Sequence, residues 1–147
     1  MKCRELQFGD WCCSGHGLPM QITNVGEDYA YATWEGNEGD PWEFDDKDDQ
    51  LQPIVLTPEI LEKNGWNFSV VTKVTTGEDG YWVYEEGGIE LLLHFPIRPI
   101  AGLLRIFDKW LIRRMPDFMW KDTLYVHELQ HALRLCGLNE LADNFKV

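Results

Sequence analysis

Residues 122–137 constrain the fold of this chain more than any other stretch. Tyr125, Val126, Leu129, Ala132, Leu133 and Cys136 recur at the spacing that lines up one face of a 3.6-residue period, which predicts an amphipathic helix from about 123 to 136. Asp122 is placed to cap its first turn. Gly137 can take the left-handed conformation that ends a helix, with Leu138 folding back on Leu133. A step of about 100° per residue gathers His127, Gln130, His131 and Arg134 on the side opposite the apolar stripe. That side is expected to look into solvent.

The same helix contains His127-Glu128-Leu129-Gln130-His131, a His-Glu-x-x-His string that resembles the zinc-binding helix of zincin metallopeptidases over five residues. The resemblance implies His127 and His131 as zinc ligands and Glu128 as the base that activates a metal-bound water. Glu140 is the nearest downstream carboxylate for a third ligand. Three features oppose this reading. The pair points away from the predicted core, sixteen residues after His131 leave little chain for a second wall, and Arg134 puts a guanidinium on the ligand face. A structural helix carrying two surface histidines, with no catalytic residue and no cofactor, is the preferred expectation.

The chain has 147 residues, 44% of them apolar and 13% aromatic, enough for a packed core. Its net charge of −12 is uneven: residues 1–56 hold 3 basic and 12 acidic side chains, residues 57–147 hold 10 and 13. So acidic a first part disfavours phosphate binding, and no nucleic-acid partner is expected. Met1-Lys2-Cys3-Arg4-Glu5-Leu6 lacks the apolar core of a signal peptide, and no run approaches membrane-spanning length, so a cytoplasmic location is expected. Cys3, Cys12, Cys13 and Cys136 follow no zinc-ribbon or disulfide spacing. Cys12 and Cys13 with His16 would suit a soft metal, except that adjacent strand residues point to opposite faces, which favours packing.

Residues 5–13 read as a strand with a Gly9-Asp10 turn, and Met20–Val25 and Tyr29–Trp34 as short alternating strands. Together they suggest a small barrel or rolled sheet, with an open meander as the alternative. Residues 35–49 hold eight acidic side chains and one lysine around Trp42 and Phe44, and are expected to form a solvated loop able to contact a basic protein partner. Asp45, Asp46, Asp48 and Asp49 lack the spacing of a calcium loop. Leu51–Leu56 reads as an edge strand because of Pro53, and Thr57–Gly65 as a short capped helix. Strands are expected at Phe68–Thr75, Tyr81–Tyr84 and Ile89–Phe95, separated by Gly77–Gly80 and Glu85–Gly88. Residues 98–121 carry a net charge of +4, and Leu103, Leu104, Phe107, Trp110 and Leu111 predict a helix over 100–114, packed on its own sheet with its charges in water.

Three segments carry a wider resemblance: Glu5–Trp11, Pro53–Trp66, and Tyr125–His131 ending in Cys136-Gly137. Their order resembles a group of small proteins of phages, prophages and mobile elements of gut anaerobic bacteria, a group with no established activity. Its members commonly read His-Gln-Leu-Gln-Asn where this chain reads His127–His131, which implies a helix that works without the glutamate and second histidine. The sequence thus predicts an α+β chain: a small β module over 1–56, then a module over 57–147 whose sheet is covered by the C-terminal helix. The expected role is a non-enzymatic accessory or interaction protein. The alternatives are a zinc-dependent hydrolase and an acidic mimic of nucleic acid.

Overall fold

In a computed structural model, the alternating runs of the first third pair into an antiparallel sheet of β1 (Trp11–Ser14), β2 (Pro19–Val25), β3 (Tyr29–Thr33), β4 (Trp42–Asp45) and β5 (Leu51–Pro53). The strand order is β4-β3-β2-β1-β5. The structure describes residues 1–47, 50–74, 77–86, 89–95, 103–108, 113–114 and 124–147. Side chains alternate between faces along each strand, and one face buries Cys12, Met20, Ile22, Ala30, Ala32, Phe44 and Leu51. A 3-10 turn at Cys3–Glu5 adds Cys3 and Leu6 to this core. The sheet is open, with β4 and β5 at its edges, so the barrel expectation is corrected in favour of a meander with β5 added beside β1. Four residues of the expected acidic loop, Trp42–Asp45, form edge strand β4, because Phe44 buries against the core opposite Ala30. Asp48 and Asp49 lie outside the described residues.

Contacts divide the chain into one unit of Met1–Val55 with Tyr125–Val147 and a second of Leu56–Leu124. The C-terminal helix, expected to cover the second sheet, therefore clusters with the N-terminal strands. It is α2 (Val126–Leu135), followed by α3 (Asn139–Asp143). Tyr125 bridges Val55, and the Val126 amide donates to the Ile54 carbonyl at 2.9 Å, so the chain enters α2 alongside the continuation of β5. The N-cap is Tyr125, whose amide donates to Glu128 Oε2 at 3.1 Å; Asp122, the expected cap, lies outside the described residues. The helix ends as its sequence predicts: Gly137 has φ +77°, and the Leu138 amide donates to the Leu133 carbonyl at 2.9 Å.

In the second unit, α1 (Pro58–Lys63) starts at Thr57, whose hydroxyl accepts the Ile60 amide at 3.3 Å, and Gly65 follows with φ +81°. Trp66 is buried with its ring 5.7 Å from that of Tyr84. The antiparallel sheet of β6 (Asn67–Val74), β7 (Gly77–Glu86), β8 (Ile89–Phe95), β9 (Leu103–Asp108) and β10 (Arg113–Arg114) runs in the order β10-β9-β8-β7-β6. Two expectations are corrected here. Gly77–Gly80, read as a spacer, belongs to β7 and pairs with β6 up to Val74↔Gly77. The helix predicted over 100–114 is replaced at 103–108 by β9, in register with β8 from Ile89↔Asp108 to His94↔Leu103. A short apolar run fits either period, and a neighbouring strand with an open edge decides for the ladder. Trp110 and Leu111 lie outside the described residues. No helix among the described residues is long and apolar enough to cross a membrane.

Candidate functional site

The Gly9-Asp10 turn enters β1 through a glycine with φ +82°, a conformation that side chains disfavour. A Cβ at this position would sit 3.0 Å from Arg134 Nη2 and 3.3 Å from Asp143 Oδ1, so glycine also makes room for the side chains that close over the turn. The turn is anchored to β2, with the Gly9 amide donating to the Ile22 carbonyl at 2.8 Å and the Ile22 amide to the Asp10 carbonyl at 2.9 Å. Its other side meets the polar face of α2.

Asp10 is fully buried. Its Oδ1 accepts from Arg134 Nη1 at 2.5 Å; its Oδ2 accepts from His131 Nε2 at 2.6 Å and from the Gln7 amide at 2.7 Å. A desolvated carboxylate is tolerable only when paired and hydrogen-bonded in this way. Arg134 also reaches Asp143 Oδ1 through Nε and Nη2, both at 3.1 Å, and so ties α3 into the cluster. Beside it, Gln130 is fully buried with its amide spent in three directions. Oε1 accepts the Trp11 amide at 2.9 Å, and Nε2 donates to the carbonyls of Gly9 and Ala142, each at 2.9 Å. The Trp11 indole donates to the Phe145 carbonyl at 2.6 Å.

These contacts overturn the expected orientation of the helix. His127 is 8% exposed and Gln130 0%, while the side chains of His131 and Arg134 are 23% and 14% exposed, so α2 is covered on its polar as well as its apolar side. Of the apolar stripe, Val126, Leu129, Ala132 and Leu133 are buried as their spacing predicts, and Tyr125 and Cys136 at its ends are half-buried. Partners for the polar side come from about 120 residues away in sequence, where helical periodicity carries no information. Gly9-Asp10-Trp11 and Gln130 were the residues missed. No local pattern links them, because the contacts that join them run between opposite ends of the chain.

His127 stands between Tyr125, stacked at a ring-centroid distance of 5.9 Å, and His131, edge-on at 5.7 Å. Burial pushes its pKa below the ordinary 6.5, against the pull of Asp10, and its Nδ1 is buried without a hydrogen-bond partner. The zinc set read from the sequence is not assembled. His131 Nε2 is held by Asp10, Glu128 accepts from the first turn of its own helix, and Glu140 is exposed on α3. Among the described residues, no group of three or more His, Cys, Asp or Glu side chains is arranged to hold a metal ion. Cys12 lies in the core, whereas Cys13 Sγ donates to the Gln52 carbonyl and His16 is exposed. Asp46 accepts the Cys3 amide at 2.6 Å, and Asp45 the Lys47 amide at 2.8 Å.

The arrangement is an inward-facing tether: three carboxylate oxygens, one guanidinium, one imidazole nitrogen and one amide, bonded to each other or to backbone. Such a cluster fixes α2 and α3 against the turn that starts β1. Comparison with protein-family models, with curated proteins and with solved structures gave no match.

Proposed function

We propose that this chain is a non-enzymatic accessory protein, of the phage or mobile-element kind that its sequence resembles, acting by contact with a basic protein partner. The observation that carries this reading is the buried Asp10. By engaging His131 and Arg134 together it gives the His-Glu-x-x-His helix a structural task. With His131 so occupied, the surface of the first unit offers acidic chemistry: residues 27–47 hold eight carboxylates and one lysine. Complementary charge favours and orients encounters with basic surfaces.

The competing zinc-hydrolase reading draws on one feature, the unpartnered buried Nδ1 of His127. It requires His131 to leave Asp10 and Arg134 to swing aside. Metal analysis of protein purified without added zinc, beside a His131→Asn variant, separates the two. The accessory reading expects no stoichiometric zinc in either; one zinc per chain, lost in the variant, would establish the hydrolase site instead. Partners held through charge should also be released near ~0.5 M salt, where screening shortens to a few ångströms.

A further inference from the structure

The face of the first sheet opposite its core carries a recess at β2, β3 and β4. Its origin is a bulge: the register of β2 with β3 shifts between Ile22 and Asn24, leaving Thr23 as the extra residue, with its hydroxyl donating to the Tyr31 carbonyl at 3.3 Å. A bulge sharpens the local twist and bends the strand. The resulting hollow, about 400 Å³, is lined by Thr23, Asn24, Tyr31 and Pro41. Tyr31, one of the lining residues, is cross-strand from Asn24 on one neighbouring strand and Glu43 on the other. The Tyr31 hydroxyl donates to Glu43 Oε2, which keeps the phenol protonated, and the ring meets Tyr29 edge-on at 5.9 Å.

We infer that this recess receives an arginine side chain from a basic segment of a partner protein. The inference rests on the reading of the chain as an acidic interaction protein, and it locates the contact. A flat guanidinium stacks on a tyrosine ring while its N–H fork meets a carboxylate, which a lysine ammonium does less well. Tyr31 and Glu43 supply that ring and that carboxylate side by side. Thr23 and Asn24 add neutral polar groups to the lining. Charge selects the occupant: Glu27, Asp28, Glu35, Glu38, Asp40, Asp45 and Asp46 lie in the same strands and their connections, with Lys47 the lone cation of residues 27–47. An anionic ligand is repelled by the same field.

The test uses the full chain titrated with a nonapeptide of alternating arginine and serine, and with its lysine counterpart, read by fluorescence anisotropy and by amide NMR shifts. The arginine peptide should shift the amides of Thr23, Asn24, Tyr31 and Glu43 and bind more tightly than the lysine peptide. Tyr31→Ala and Glu43→Gln should each weaken it by about tenfold. Tyr31→Phe, which keeps the ring, and Glu38→Gln, which removes a charge in the β3–β4 connection, should stay within about twofold. Equal binding of the two peptides, or tight binding unaltered in Tyr31→Ala and Glu43→Gln, overturns the recess while leaving an acidic interaction surface in place. No binding of either peptide overturns both.

Discussion

At the residue scale, the ionisable groups buried in the first unit set how the protein responds to pH and to thiol reagents. Burial holds the His127 pKa below its ordinary 6.5, with Asp10, Glu128 and Glu5 pulling it up and His131 adding to the depression. The unfolded chain therefore binds this proton more readily than the folded one, and stability falls as pH drops below about 6.5. Urea midpoints measured between pH 8 and pH 5 should decline, and His127→Leu should flatten that decline. A slope unchanged in the variant would assign it to other groups. The thiols of Cys3 and Cys12 are pushed up to about 12, chiefly by burial, with Asp46 adding to the effect on Cys3. Both should resist iodoacetamide in the native protein at pH 8 and react on unfolding, as mass spectrometry of labelled peptides would reveal. The sequence pointed to Cys12 as a packing residue because adjacent strand residues face opposite ways, and the irregular spacing of the four cysteines pointed away from disulfides. It did not disclose Asp10 as a buried charge, because an aspartate after a glycine is ordinary turn chemistry until its partners are known.

At the scale of elements, the three helix ends with local signals were legible, and the contacts that place α2 were not. Thr57, Pro58 and Gly65 define α1 from within nine residues, and Gly137 ends α2 by the same local logic. Thr57→Ala should cost about 1 kcal/mol in denaturant unfolding through loss of the cap; no change would mean that the Ile60 amide finds another acceptor. Gln130 belongs to the opposite class. On the sequence it is one polar residue of a helix face, yet in the fold it joins Gly9, Trp11 and Ala142. Gln130→Leu keeps the helix propensity and strands the Trp11 amide, so it should destabilise the first unit by about 3 kcal/mol. A loss below about 0.5 kcal/mol would mean that the amide is not the joint between α2 and the β1 turn. β9 marks the other limit of local reading: Leu103–Asp108 fits a helical stripe, and pairing with β8 makes it a strand.

At the scale of the whole molecule, one of the two units is built from both ends of the chain, with the other inserted between Val55 and Tyr125. A linear division at residue 56 assigns the C-terminal helix to its sequence neighbours. The bridge between Val55 and Tyr125 and the Asp10 cluster assign it instead to the N-terminal strands. The α+β class was readable from the alternation of apolar runs, whereas this discontinuity depends on pairs of residues more than a hundred positions apart. Asp10 tethers the two ends of the chain by engaging His131 and Arg134 of the His-Glu-x-x-His helix. The most direct measurement is a double-mutant cycle on Asp10→Asn and His131→Asn, each alone and both together, by urea unfolding. A tether predicts that each single change destabilises and that the two are coupled by about 1–3 kcal/mol. Additive effects, with a wild-type midpoint raised by added zinc and a His131→Asn midpoint left where it was, would contradict it.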